Sequence, residues 1–410
     1  MIDVGVVMPL YKQEPEFLRA AIDSLRSQRY EHFIVIVVID GAPEMEPLVR
    51  EYIGEDDRFV LLPQPENRGV AAALNKGFEE LFTFPNIRYV TWVSSDNIYY
   101  PDFLQRLRQR LSEGPEELGL VYSSFQSISN EGTPLHSEYQ LAAQRKYQSS
   151  AKDKLLDACI IGVSFMYKAQ YAKCIDGYHM VPVEDYEYWL RLTEHCDIRY
   201  LPVELMDYRV DSTFSVSASL KDEARHRQWR YTYHLARHQA RVRQGIPHAL
   251  TVIYPLSTVS PVDVARIENL YDQSFSNYVT AILDLSPDES VSAALSNIPH
   301  PLTKFMWLPG EREEQAVYYA AQMIETPFAM MIGTEPFAAV TDLEVLTKQL
   351  LKAPAEVESN YYNSTHSDVD YRYPGVPFQF RAIQHELFRT DSLRARLKTY
   401  MMSQRQEGLL

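Results

Sequence analysis

A doubly wound α/β sheet, built twice in succession, is the fold class this 410-residue sequence predicts. Three observations point there. Short apolar runs alternate with segments of helical period through the first half, the rhythm of strands and crossover helices in a parallel sheet. Residues 33–39 are continuously apolar and β-branched, as a strand buried on both faces must be. The pattern of the first half then returns in the same order about 245 positions later. Composition agrees: 46% apolar and 23% charged residues are ordinary globular values, which sets aside disordered and fibrous architectures.

Each element has its own local signal. Residues 4–8 form an apolar run ending at Pro9, the first strand. Phe17, Leu18, Ala21, Ile22 and Leu25 recur at helical spacing and predict an amphipathic helix over 16–28. Residues 59–62 and 89–93 read as further strands, with a helix over 70–81 between them. Pro101 sits where a first helical turn tolerates proline and predicts a helix reaching about Leu111. Ligands of such sheets bind beyond the carboxyl ends of the strands. The stretches of interest are therefore 9–14, 40–41, 64–69 and 94–97.

Charge and cysteine usage narrow the function classes. Forty basic against 55 acidic residues give a net charge of −15. That surplus repels phosphate backbones, so nucleic acid is not an expected partner. No run of 18 or more apolar residues occurs, so no membrane-spanning helix is expected. Met1-Ile2-Asp3 opens without the basic-then-apolar pattern of a signal peptide. Cys159, Cys174 and Cys196 show no metal spacing and read as reduced thiols, which together predict a cytoplasmic protein.

The composition shifts between Ser219 and Gln244, where seven Lys and Arg residues interleave with histidines and with Trp229, Tyr231 and Tyr233. One reading is a linker helix that packs its aromatic side on a domain. The other is a basic patch for anionic lipid, which would hold the protein peripherally at the inner face of a membrane. The predicted organisation is a first domain over 1–218, a basic linker helix over 219–246 and a degenerate repeat over 247–410. In the repeat, residues 251–256 echo 6–10, 267–275 echo 22–30, 305–309 echo 59–63, and 329–335 fall where 90–96 stand. Ser257 replaces Tyr11, and Glu335, followed by Pro336, takes the place of Asp96. This half is therefore expected to be a scaffold, a homodimerisation surface or an acceptor platform.

Two clusters carry chemistry. In Ser94-Ser95-Asp96-Asn97 a strand ends in small polar residues and one carboxylate, which can hold a cation bound to a diphosphate or simply form a turn. In Glu184-Asp185-Tyr186-Glu187-Tyr188-Trp189 a carboxylate pair opens an aromatic helix, and follows the segment Gly162-Val163-Ser164-Phe165-Met166. The first ~220 residues resemble the family 2 glycosyltransferases of the GT-A fold; the Asp96 turn is similar to that of spore coat polysaccharide glycosyltransferases.

The resemblance implies a metal-dependent inverting hexosyltransferase of polysaccharide biosynthesis. It would take a sugar from a nucleotide-diphosphate donor, UDP- or dTDP-linked, to a saccharide, glycan or lipid-linked acceptor. Asp185 matches the general base, with Glu184 as its acceptor-orienting neighbour. Asp96 matches the aspartate that holds Mn²⁺ or Mg²⁺, while Ser94 and Ser95 stand where the family often has carboxylates. Pro9, Tyr11 and the residues as far as Glu14 match the segment that packs on the nucleotide base, and Asp40 matches the aspartate that hydrogen-bonds it. Asn67, Arg68, Gly69 and Asn75 match the segment flanking the phosphates, where Gly69 permits close backbone approach and the following helix start favours an anion. Asp211 stands where the family's metal-completing histidine would be, and reads equally as a ligand or as a helix cap. A nucleotide-sugar-binding regulator or scaffold that has lost turnover is the alternative. A nucleotidyltransferase ranks last, because Tyr11-Lys12-Gln13-Glu14 is not a glycine-rich loop.

Overall fold

The computed structural model describes residues 1–213, 218, 220–333, 335–363, 365–383 and 385–406. Ser219, where the linker was expected to begin, and Thr334, within the fourth echoed segment, lie outside the described residues. The chain divides into two compact units, Met1–Ala236 and Arg237–Leu410.

The elements of the first unit are β1 (Val4–Leu10), α1 (Pro15–Arg26), β2 (Phe33–Asp40), α2 (Glu46–Ile53), β3 (Phe59–Gln64), α3 (Val70–Leu81), β4 (Tyr89–Trp92), β5 (Ile98–Tyr99), α4 (Phe103–Ser112), β6 (Leu118–Ile128), α5 (Glu138–Gln148), β7 (Phe165–Lys168), α6 (Ala169–Ala172), α7 (Glu184–Leu192), β8 (Asp197–Arg209) and α8 (Glu223–Arg243). Its eight-stranded sheet runs β3-β2-β1-β4-β7-β6-β8-β5. The first four strands in that order are mutually parallel, and β7 pairs antiparallel with both β4 and β6. All eight residues of β2 are buried, as its unbroken apolar run required. Helix α3 lies so close to the sheet that a Cβ on Gly77 would come within 2.4 Å of the Val7 side chain. Strand order reverses at β1, with β2 on one side and β4 on the other, so the loops after these strands part and open a crevice there.

Among the elements up to Ser112, three differ from the sequence reading. Helix α4 starts at Phe103, and Pro101 lies two residues before it, in a turn closed by the Phe103 N–H on the Tyr100 carbonyl. Helix α2 was not foreseen because Pro43 and Pro47 look like loop residues, yet Pro47 sits in the first turn, where its missing N–H costs nothing. Strand β5 is two residues long, below the length at which alternation can be read.

Helix α8 occupies most of the basic segment, and the division between the units falls within it. Its aromatic side packs inside the first unit: Trp229 stacks on Tyr233 at 4.9 Å, and Tyr233 lies 4.3 Å from Tyr186 of α7. Arg230, Arg237 and Arg241 are buried. Three of the cations counted towards a lipid-binding patch are thus turned away from any surface, so the segment's basic sequence overstates the charge it presents. No helix among the described residues is long and apolar enough to cross a membrane.

The second unit has a seven-stranded sheet of β9 (Leu250–Leu256), β10 (Tyr278–Asp284), β11 (Thr303–Trp307), β12 (Phe328–Met331), β13 (Ser359–Tyr362), β14 (Val369–Arg372) and β15 (Leu387–Arg389), in the order β11-β10-β9-β12-β15-β13-β14. Its first four strands in that order are parallel and β15 then pairs antiparallel with β12, the same sequence of relations as in the first unit. The register agrees as well: Val4 faces Phe33 in one sheet and Leu250 faces Tyr278 in the other.

Candidate active site

The crevice at the reversal point of the first sheet holds a cavity of about 560 Å³. Three walls meet around it.

The first wall is the end of β1 and the loop before α3. Pro9 and Tyr11 line the cavity, and Tyr11 is 42% exposed, an open aromatic face at its mouth. Gln13 Nε2 donates to Ser95 Oγ at 3.3 Å, tying this loop to the wall opposite. Asp40, at the end of β2, is buried and accepts from the backbone N–H groups of Arg68 (3.0 Å) and Gly69 (2.9 Å). It thereby fixes the loop that starts α3. Gly41, at φ +69°, makes this closeness feasible, since a Cβ there would lie 2.1 Å from the Asn67 nitrogen.

The second wall is the turn after β4. Ser94 Oγ donates to Asp96 Oδ1 at 2.6 Å and Ser212 Oγ to Asp96 Oδ2 at 2.5 Å, so hydroxyls meet both carboxylate oxygens. Arg209, at the end of β8, is buried beneath the turn. Its Nε donates to the Asp96 carbonyl (3.1 Å), its Nη1 to the carbonyls of Ser129 and Asn130, and its guanidinium lies 3.9 Å over the Phe17 ring. Arg209→Met should remove these bonds together and leave the buried Asp96 carbonyl without this partner. The expected loss is about 2–4 kcal/mol in urea unfolding; a change under about 1 kcal/mol would show the turn to be held by other means.

The third wall is the start of α7. Glu184 and Asp185 occupy its first turn. Behind them Trp189 is fully buried against Phe165 at 4.5 Å, and Tyr188 stacks on Tyr178 at 4.0 Å. Arg191 bonds Glu187 and the carbonyls of Asp176 and Gly177, fixing the loop that leads into the helix. The pair is therefore mounted on rigid structure. Glu184 is 8% exposed, and burial, with the Asp185 charge beside it, pushes its carboxyl up to about 7. Burial also raises Asp185, which keeps an edge open to the cavity while its Oδ1 accepts the Tyr186 N–H at 2.6 Å. A helix start ordinarily favours the charged carboxylate; here desolvation outweighs it.

One cavity thus gathers Pro9, Tyr11, Asp40, Asn67, Gly69, Ser94, Ser95, Asp96, Glu184 and Asp185. Four expected residues stand outside it. Glu14 caps the start of α1 without a side-chain bond. Arg68 lines an adjoining hollow that Asp40 also borders. Asn75 borders that hollow too, but its amide is engaged twice with the Tyr178 backbone, at 2.6 and 3.0 Å, which makes it a clamp between α3 and the loop before α7. Asp211 pairs with Lys221 Nζ at 2.8 Å. In the other direction, the cavity recruits Lys12, Arg209 and Trp229. Trp229 had been visible only as one aromatic among the cations of the basic segment.

Residues 5–176 match the model of glycosyl transferase family 2. Over these residues the chain is similar to the family 2 glycosyltransferases. An uncharacterized glycosyltransferase of Rickettsia felis is 26% identical over 204 residues, 48% of this chain and 32% of its own length. Glycosyltransferase GlyA of Streptococcus pneumoniae is 30% identical over 123 residues, 30% of this chain and 17% of its own. The chain therefore spans a third or less of the length of these two relatives. Residues 1–349 of Staphylococcus aureus TarS in complex with UDP-GlcNAc align with a TM-score of 0.46 at 13% identity, covering 59% of this chain and 66% of that one. The sheet of the first unit, four parallel strands with their order reversed at β1 and continued by an antiparallel β7, is the doubly wound arrangement of the GT-A class that the sequence predicts.

The described residues do not by themselves complete a shell for the cation that the resemblance implied. Mn²⁺ and Mg²⁺ want several oxygen ligands. Asp96 is met by two hydroxyl donors, Asp211 by an ammonium, and no group of three His, Cys, Asp or Glu residues among the described ones could hold a metal. These residues alone do not fit the ion.

Proposed function

We propose that the first unit transfers a sugar from a nucleotide-diphosphate donor, UDP- or dTDP-linked, to a hydroxyl of a saccharide, glycan or lipid-linked acceptor, with inversion at the anomeric carbon. The observation that carries this reading is the Asp185 carboxylate, mounted on rigid structure with one edge open to the cavity that Asp40, Asp96 and Tyr11 also line. The acceptor oxygen attacks the anomeric carbon, Asp185 takes its proton, and the carbon–oxygen bond to the diphosphate breaks with its electrons leaving on the diphosphate. A base works best when its proton affinity lies near the operating pH, and burial moves Asp185 in that direction. Tyr11 and Pro9 suit the flat face of a base. Lys12 and the first turn of α3 at Gly69 and Val70 suit the phosphates.

Calorimetric titration of UDP, dTDP, GDP and CDP, with Mn²⁺ and again with EDTA, tests the reading. One diphosphate is expected to bind selectively, and its affinity to change less than about threefold on metal removal. A loss of tenfold or more with EDTA would restore a cation to the site through Asp96; no binding of any diphosphate would end the transferase reading. The second reading, a regulator or scaffold that binds nucleotide sugar without turnover, is favoured by the unassembled cation site. Selective diphosphate binding without transfer or donor hydrolysis would establish it.

For the second unit the reading is a scaffold, a homodimer surface or an acceptor platform. Glu335 is exposed where Asp96 stands in the first unit. Asp284, fully buried at the end of β10, accepts from the N–H and hydroxyl groups of both Ser286 and Ser292. That carboxylate is consumed in holding the following loop.

A further inference from the structure

The clamp that Asn75 forms joins the two helices between which the proposed chemistry is divided. Helix α3 starts at Gly69 and Val70, the place that suits the phosphates, and α7 starts at Glu184 and Asp185. Each residue of the stretch Asp176-Gly177-Tyr178 is bonded to one of these helices. Arg191 of α7 donates to the carbonyls of Asp176 (2.6 Å) and Gly177 (2.7 Å). Asn75 of α3 accepts the Tyr178 N–H at 2.6 Å and donates to the Tyr178 carbonyl at 3.0 Å. The Tyr178 ring repeats the connection, stacking on Phe78 of α3 at 5.7 Å and on Tyr188 of α7 at 4.0 Å. Its hydroxyl meets that of Tyr167 on β7 at 2.9 Å, which anchors the joint to the sheet.

Tyr188 stands three positions after Asp185 on α7, so the two side chains are neighbours on the helix surface, and the Tyr178 stack sets the rotation of α7 at Asp185. The joint has no slack. A Cβ on Gly177 would come within 2.1 Å of Asn75 Oδ1, and the three atoms nearest to it all belong to the Asn75 amide. The family resemblance places Asn75 beside the phosphates, yet both ends of its amide are turned to Tyr178. We propose that Asn75 is a positioning residue for transfer: through residues 176–178 it fixes α7 against α3, and so sets Asp185 at the reacting end of a donor whose phosphates sit at the start of α3. The proposal rests on the transferase reading and adds a residue that acts through Tyr178 without touching donor or acceptor. A misplacement of about 1 Å between reacting groups can cost on the order of 10²-fold in rate, so such a joint matters to the chemistry as well as to stability.

The test uses the full chain and follows release of diphosphate from UDP- and dTDP-linked hexoses, with water or methyl glycosides as acceptors. Asn75→Ala should lower kcat roughly 10–100-fold. Donor KM and diphosphate affinity should stay within about threefold, because Asp40 still holds Arg68 and Gly69 at the start of α3. Gly177→Ala, which keeps Asn75 but drives a methyl into its amide, should lower kcat comparably. The double variant should be no slower than the slower single one, since both changes break one joint and alanine at 75 makes room for the methyl. Asn269→Ala controls for lost stability: in the second unit Asn269 holds the Phe337 N–H (2.7 Å) and carbonyl (3.2 Å) in the same way, and its loss should leave kcat unchanged. Three results would each overturn the positioning role and leave the transferase reading standing. They are a kcat of Asn75→Ala within about threefold of wild type, a loss that falls on donor KM or diphosphate affinity instead, and an equal loss in Asn269→Ala. Losses at 75 and 177 that simply multiply in the double variant would overturn it too. If the wild type binds no diphosphate, or binds it without turning over any donor, the transferase reading fails first and the positioning role fails with it.

Discussion

Asp185→Asn is expected to lower the rate of sugar transfer by roughly 10²–10⁴-fold, the range over which a positioned general base contributes, while leaving diphosphate binding unchanged. The substitution is nearly isosteric. An Asn side chain can still accept the Tyr186 N–H that Asp185 Oδ1 takes at 2.6 Å, so the start of α7 is not disturbed. The aromatic packing of Trp189 and Tyr188 lies behind the helix and does not involve residue 185. What is lost is the group proposed to receive the acceptor proton. Transfer by the wild type and the variant is compared at saturating donor, with diphosphate titration as the control. A variant that keeps turnover within about threefold would remove Asp185 as the base. A variant whose diphosphate affinity falls along with its rate would show that residue 185 shapes the donor site instead.

How much of this was legible in the sequence depended on how local each signal was. Residues 33–39 announced a buried central strand because every side chain there had to meet apolar neighbours, and β2 is buried throughout. The repeat was legible because strands recur in order, and the second sheet reproduces both the strand order and the pairing of Leu250 with Tyr278. The Glu184–Asp185 pair could be placed because a carboxylate pair, a buried aromatic helix and Arg191 occur within eight positions. Asp40, by contrast, could be placed but its partners could not. Its hydrogen bonds reach 28 and 29 positions ahead to backbone amides, and a backbone amide carries no sequence signature. Asn75 looked like part of a phosphate loop, but its partner is the Tyr178 backbone, more than 100 positions away. Asp211 shows the same limit. Its family position suggested a ligand, while Lys221, ten positions on, offers a salt bridge that no spacing rule would select over a metal. Trp229 was hidden for another reason: within a run of arginines and histidines its role depends on which face of α8 meets the first unit, and the weak amphipathic pattern of that helix does not fix the face.

Glu184→Gln should stabilise the protein above neutral pH and have almost no effect in acid. The native environment holds the Glu184 carboxyl at about 7, against about 4.5 for the free side chain. Between those values the native state retains a proton that the unfolded chain has released, so stability falls as pH rises through this window and stays lower above it. The cause is desolvation first and the neighbouring Asp185 charge second. A glutamine is neutral at every pH and meets neither penalty. The expected difference between variant and wild type, from urea unfolding, is near zero at pH 4 and grows to the order of 3 kcal/mol in favour of glutamine by pH 8. The other titrating groups are common to both proteins and largely cancel in the comparison. A difference that does not grow between pH 5 and 8, or that favours glutamate at high pH, would mean Glu184 is not held as a buried acid. That cost locates a functional constraint: an apolar residue at 184 would avoid the penalty and could not bind a hydroxyl, whereas the glutamate keeps a polar group in the cavity at the expense of stability.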